Sequence, residues 1–135
     1  MSSDNIFNLS DDELALARSK KTNKNKLLFG VLLKYFQLDG HYPKDIKYID
    51  PIMLNSIANQ LDVSRSLIEH IDFEGRSTER FRQEIRRLLG YRQVTLKDIE
   101  QLKSWLMQNI FPRALKKQQN IEFAYEYFRA NNIEP

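Results

Sequence analysis

Apolar residues along this chain recur mostly at three- and four-residue intervals rather than alternating, and only four Gly and four Pro interrupt them. That periodicity predicts an all-α protein, because a helix brings every third and fourth residue to one face. Seven helices are predicted. The first opens at Ser10, whose hydroxyl can cap the amides of Asp12 or Glu13, and ends near Arg18. The second runs from about Asn25 to Leu38 and stops at Asp39-Gly40, with Pro43 beyond. The third follows Pro51. The fourth spans Ser64 to about Ile71, after which Asp72-Phe73-Glu74-Gly75 reads as a boundary. The fifth, about Ser77 to Leu89, places Phe81, Ile85, Leu88 and Leu89 on one stripe and stops at Gly90. The sixth begins after Thr95 in a T-L-K-D capping box and carries Leu96, Ile99, Leu102, Leu106 and Ile110 at spacings of three and four, with Pro112 after it. The seventh covers roughly Lys116 to Ala130, with Ile121, Ala124, Tyr125 and Phe128 inward. The expected organisation is two consecutive helix-turn-helix-like three-helix bundles, residues 1–75 and the more basic 76–135.

The pattern is most specific at residues 57–71, IANQLDVSRSLIEHI. A helix-turn-helix needs a small residue where its helices cross, a left-handed backbone in the turn, and a branched apolar residue locking the second helix. Ala58, Asp62 and Ile68 occupy those places. Asp is among the non-Gly residues that tolerate the turn, and Ser64 caps the second helix. If that helix enters a major groove, Ser64, Arg65, Ser66 and His70 face the bases, and Arg65 can pair bidentately with guanine. The alternative is a corner in an all-helical core.

Charge alters this picture. The net charge is only +3, but it is uneven: residues 1–75 hold 9 basic and 11 acidic side chains, residues 76–135 hold 12 and 7. Two segments concentrate the excess. RSKKTNKNK (18–26) supplies Lys20, Lys21, Lys24 and Lys26, and residues 76–92 supply Arg76, Arg80, Arg82, Arg86, Arg87 and Arg92. Arg80 and Arg87 fall opposite the apolar stripe of the fifth helix, and all ten cations are candidate phosphate contacts. A solvated charged face is the competing reading. Lys97 and Gln101, on the sixth helix, are candidate base contacts. Trp105 and the other aromatics read as core.

Other chemistry finds little support. Cys is absent, so thiol catalysis, disulfides and Cys-based zinc sites are excluded. His41 and His70 lack metal-ligand spacing, no Gly-rich phosphate loop or Ser/His/Asp arrangement occurs, and no cofactor is expected. The apolar run Leu27 to Leu33 follows basic residues as a signal core would, but it continues into KYFQLDG without a small-residue cleavage site. No run approaches the roughly 18 apolar residues of a membrane span. A cytoplasmic, non-catalytic chain is expected.

NKLLFGVLLKYFQLDGHYP (Asn25 to Pro43), then IANQLDV, FRQEIRRLLGYRQVT and Trp105-Leu106 resemble, in order, the N-terminal region of Tn3-family transposases. The resemblance covers nearly the whole chain from about Leu9. It implies a DNA-binding region that recognises the transposon's terminal inverted repeats, at the front of a longer enzyme. The family's carboxylate triad belongs to a C-terminal RNase H-like domain, so no catalytic residue is carried over here. His41-Tyr42 departs from the family's frequent Arg-Phe pair, and no contact is assigned to His41. The implied partners are duplex DNA and the remaining transposase domains, with oligomeric state open. A stand-alone helix-turn-helix regulator and a helical interaction module without DNA contact are the alternatives.

Overall fold

The computed structural model describes residues 6–109 and 117–135, which form two compact units, residues 1–85 and 86–135. The architecture is all-α with a trace of strand: α1 (Asp11–Arg18), α2 (Asn23–Asp39), α3 (Pro51–Leu61), α4 (Arg76–Leu89), α5 (Leu96–Asn109) and α6 (Lys117–Ala130). The expected fourth helix is a six-residue 3-10 segment, Arg65–His70. The division between units falls inside α4, ten residues beyond the Asp72–Gly75 loop.

In unit 1, α2 is the central element. Leu27 to Phe36 are buried without a break, Lys34 included, and a helix apolar all round must be covered all round. The helices α1 and α3 and the 3-10 segment cover it. The signal-like LLFGVLL is therefore the middle of a core helix. Among the described residues no helix is long and apolar enough to cross a membrane.

Local chemistry fixes the ends. Ser10 and Glu13 form a reciprocal capping box on α1. Burial opposes the charge on Glu13, but the Ser10 amide, Gln37 and Lys34 hold its carboxyl below its ordinary value. Gly40 ends α2 in the left-handed region at φ 78°, its N–H donating to Phe36 O at 2.8 Å. The chain then folds back so that Tyr42 stacks on Phe36 at 4.7 Å. The aromatic-proline pair after the glycine thus has a packing role, with Tyr42 and Pro43 both buried.

The helix-turn-helix corner forms as its residue types predict. Asp62 sits at φ 57°, ψ 47°, and Ala58 and Ile68 are buried. The predicted second α-helix is corrected to 3-10 geometry, spanning about 12 Å at roughly 2.0 Å per residue. It is closed by Ser64 accepting from Ser66 N–H at its start and by extended Ile71 at its end. Six residues give little room for α-helical i→i−4 bonds.

Where α2 crosses α3, Gly30 is required by space rather than by backbone angle. A methyl added there would lie 2.9 Å from Ile57 Cγ2 and 3.1 Å from Leu61 Cδ1. Gly30→Ala is expected to lower stability by about 1 to 3 kcal/mol through overpacking, despite its better helix propensity. Adding Ile57→Leu, which removes the β-branch, should recover part of that in urea denaturation; no recovery would place the strain elsewhere.

Unit 2 packs α5 against α6 around Leu102, Phe128 and Ile133, with Val94, Trp105, Leu106, Ala124 and Tyr127 partly buried against them. Ile121, predicted inward, is corrected to 39% exposed, and Leu96, first of the apolar series on α5, is 79% exposed. Ile99 and Leu88 are also exposed, because α5 and the end of α4 each bury a narrower stripe than the apolar pattern suggests. Ile110 and Pro112 lie outside the described residues. The pattern also missed a parallel pair of two-residue strands, β1 (Arg92–Gln93) and β2 (Ile133–Glu134), in register Arg92 to Ile133. Parallel strands need a crossover, and α5 and α6 lie in the segment between the two strands.

Candidate nucleic-acid interface

The basic residues sort by what already engages them. Lys20 is turned inward: its Nζ lies 4.4 Å from the Phe29 ring centroid, 5.0 Å from that of Phe81, and 2.7 Å from Glu84 Oε2. Arg82 lies over the Tyr42 ring at 4.5 Å. Arg86 is paired with Glu134, the two side chains only 11% and 3% exposed. Arg92 binds Asp98 bidentately at 2.5 and 2.6 Å. All four cations are thus engaged within the fold, Lys20 and Arg86 largely buried and Arg92 with its side chain 56% exposed.

Lys21, Lys24, Arg76, Arg80 and Arg87 are exposed and make no ion pair with the described residues, and Lys26 is half-buried. In unit 1 two clefts gather four of them. One is lined by Lys21, Asn25 and Arg80, beside the Lys20–Glu84 pair. The other is lined by Thr22, Lys24, Asn25, His70, Asp72, Arg76 and Ser77. Asn25 belongs to both, so the clefts form one cationic track along the start of α2 and the first turns of α4. Such a surface can hold a polyanion through several phosphates at once.

The proposed base-reading residues separate into two groups. Ser64, Arg65 and Ser66 are exposed at the start of the 3-10 segment. Ser64 and Ser66 hydroxyls bond each other at 2.7 Å, and Arg65 Nη1 donates to Asn55 Oδ1 at 2.6 Å. The Asn55 bond engages one nitrogen of the Arg65 guanidinium, which is otherwise exposed. His70, at the other end of the segment, joins Lys24 and Arg76 in the second cleft instead. Sequence reasoning missed Thr22 and Asn25 because it started α2 at Asn25. The structure starts it at Asn23 with Thr22 as the cap, whose Oγ1 accepts from Asn25 N–H at 3.1 Å. The strong cap preference of Thr was the available signal.

In unit 2, Lys97 and Gln101 line an open groove with Glu100, Ser104, Trp105, Gln108 and Tyr127. Trp105 and Tyr127 meet at 5.6 Å and anchor the groove floor to the core. The helix presenting them is fixed at its start. Asp98 accepts from Thr95 N–H at 2.8 Å and from the Thr95 hydroxyl at 2.9 Å, while its own N–H donates to Thr95 Oγ1 at 3.3 Å. The capping box is as predicted, with Arg92 added as a third partner.

The Arg92 guanidinium, and after it the two Thr95 bonds, hold the Asp98 carboxyl well below the usual carboxylate range against desolvation. A depressed acid stabilises the fold above its unfolded value and loses that contribution as pH falls, so stability should decline below about pH 4. In thermal melts across that window, Asp98→Asn is expected to start less stable at neutral pH and to decline less. A parallel decline in both proteins would show that Asp98 is not the group responsible.

Among the described residues no group of three His, Asp or Glu is placed to hold a metal ion. A family model matches residues 3–134, that of the family described as domain of unknown function, DUF4158. No curated protein and no solved structure matches the chain.

Proposed function

The chain belongs to the DUF4158 family, and we propose that it binds duplex DNA as the non-catalytic N-terminal part of a Tn3-like transposase, recognising the transposon's terminal inverted repeats. The observation that carries this reading is the track of Lys21, Lys24, Arg76 and Arg80 along two clefts of unit 1. Lys20, Arg86 and Arg92 are paired with carboxylates and Arg82 lies over the Tyr42 ring, whereas these make no ion pair with the described residues. Phosphates on the track would set the position of the duplex, and base edges would be met by Arg65 at the helix-turn-helix corner and by Lys97 and Gln101 on α5. The order of sequence motifs resembling the transposase N-terminal region gives the choice of DNA. Strand cleavage would belong to other domains of the parent enzyme, and this part would need no cofactor.

A protein-interaction module is the second reading, favoured by Ile46, Tyr48 and Ile52, three large apolar residues exposed within seven positions. Titrating the chain against its inverted-repeat duplex and a scrambled duplex at two salt concentrations separates the two. Preferential binding to the repeat, weakened by salt, is expected. Equal binding to both would remove sequence recognition, and no binding to either would favour the interaction module. Within the DNA reading, Arg80→Ala with Arg87→Ala should weaken binding to all duplexes. Arg65→Ala should reduce discrimination by about 1 to 3 kcal/mol, and unchanged discrimination would show that the corner does not read bases.

A further inference from the structure

We propose that the cleft between the starts of α2 and α4 is a seat for one phosphate group, and that its occupant is a phosphodiester of the DNA backbone. The site rests on the DNA reading for the source of the phosphate, but not for the chemistry of the cleft. It measures about 290 Å³ and draws side chains from three separate elements: Lys24 from α2, His70 from the end of the 3-10 segment, and Arg76 from α4. An ammonium and a guanidinium facing one small space are what a tetrahedral anion requires, the guanidinium offering a planar pair of donors.

Hydroxyl groups complete the donor set. Thr22 Oγ1 accepts from Asn25 N–H, and Ser77 Oγ accepts from Arg80 at 3.2 Å. Each hydroxyl therefore keeps its own proton to donate to the anion. The one lining carboxylate, Asp72, turns Oδ1 to the Glu74 amide at 2.9 Å within its own turn. Around the cleft the formal balance is two cations against one carboxylate, before His70 is counted. The first turn of α2 adds no acidic residue, so the positive end of that 17-residue helix is not offset by a carboxylate of its own. A merely solvated charged face would scatter Lys24 and Arg76, whereas here they share a concavity with two donors that have protons to spare.

Sharing one phosphate has a measurable signature. Two cations contacting two separate phosphates contribute about twice the salt dependence of two cations contacting one. In the 135-residue chain, inorganic phosphate at constant ionic strength should shift the backbone amide resonances of residues 22–25 and 75–77. Lys24→Ala with Arg76→Ala should abolish those shifts without moving the melting temperature, since both side chains are exposed. With an inverted-repeat duplex, the same double variant should reduce the slope of log affinity against log salt by about one. A reduction of about two would overturn the shared seat in favour of two independent contacts. Absence of phosphate-induced shifts, with duplex binding intact, would overturn the seat and leave the DNA reading standing. Phosphate-induced shifts in a chain that binds no duplex would overturn the assignment to a DNA diester, and stronger binding of a phosphoserine peptide than of duplex would reassign the cleft to a protein partner.

Discussion

Glu134→Ala is expected to destabilise unit 2 by about 3 to 5 kcal/mol, the usual consequence of removing one partner from a buried ion pair. Glu134 is 3% exposed and the Arg86 side chain 11%, and the two are in direct hydrogen-bond contact. Truncating the carboxylate leaves a guanidinium in low dielectric with no counter-charge. It also removes a tie between α4 and the second strand, in which Glu134 O accepts from Val94 N–H and the neighbouring Ile133 is a core member. The chain's single Trp, Trp105, packs against that same core. Its fluorescence in urea therefore reports unit 2, while far-ultraviolet ellipticity reports helix in both units. The transition seen by Trp105 should move to lower urea. Replacing both partners, Arg86→Met with Glu134→Leu, should recover most of the loss, since an apolar pair of similar volume is often no less stable. Failure of the double replacement to recover would mean that geometry unique to the ion pair holds the strands.

Phe29→Ala should be of similar size in unit 1, about 3 to 5 kcal/mol, as for other buried aromatic truncations. Phe29 is fully buried and meets Phe81 edge-on, with centroids 5.5 Å apart and planes at 87°. It joins the core helix to α4 and supplies one of the two rings that carry the Lys20 ammonium. Its loss removes ring volume, an aromatic pair and half of a cation's aromatic support at once. Lys20→Met, which keeps the stem but drops the charge, should cost much less, because it leaves the rings packed. Urea denaturation followed by ellipticity distinguishes them. Equal effects from the two substitutions would mean that the Lys20–Glu84 pair, rather than the ring, holds α4.

The elements legible in the sequence were those whose causes are local. The Ser10 cap, the Thr95 capping box, the left-handed stops at Gly40 and Asp62, and the Ala58–Ile68 lock each depend on residues within about ten positions of one another. The illegible parts depend on distance or on competition. Lys20 and Glu84 lie 64 positions apart, and Arg86 and Glu134 lie 48 apart. No periodicity connects such pairs, so ten basic residues looked equivalent when four of them are engaged within the fold. The exposed Leu96 was misread because apolar spacing marks a face without saying whether a neighbour covers it. The 3-10 segment was misread because six residues between two stop signals satisfy either helical period.

The pairing of β1 with β2 also orders events during synthesis. Arg92 and Gln93 leave the ribosome some forty residues before the strand they pair with, and the carboxylate that neutralises Arg86 is made later still than Ile133. While those residues are still inside the exit tunnel, α4 ends in an unpaired guanidinium and Val94 has no strand to bind. Every residue of unit 1 has by then been made, and at roughly 5 to 20 residues per second the interval lasts seconds. A chain held with Ile133 and Glu134 not yet emerged should therefore have a folded unit 1 that resists protease, while the emerged part of unit 2 is open to cleavage.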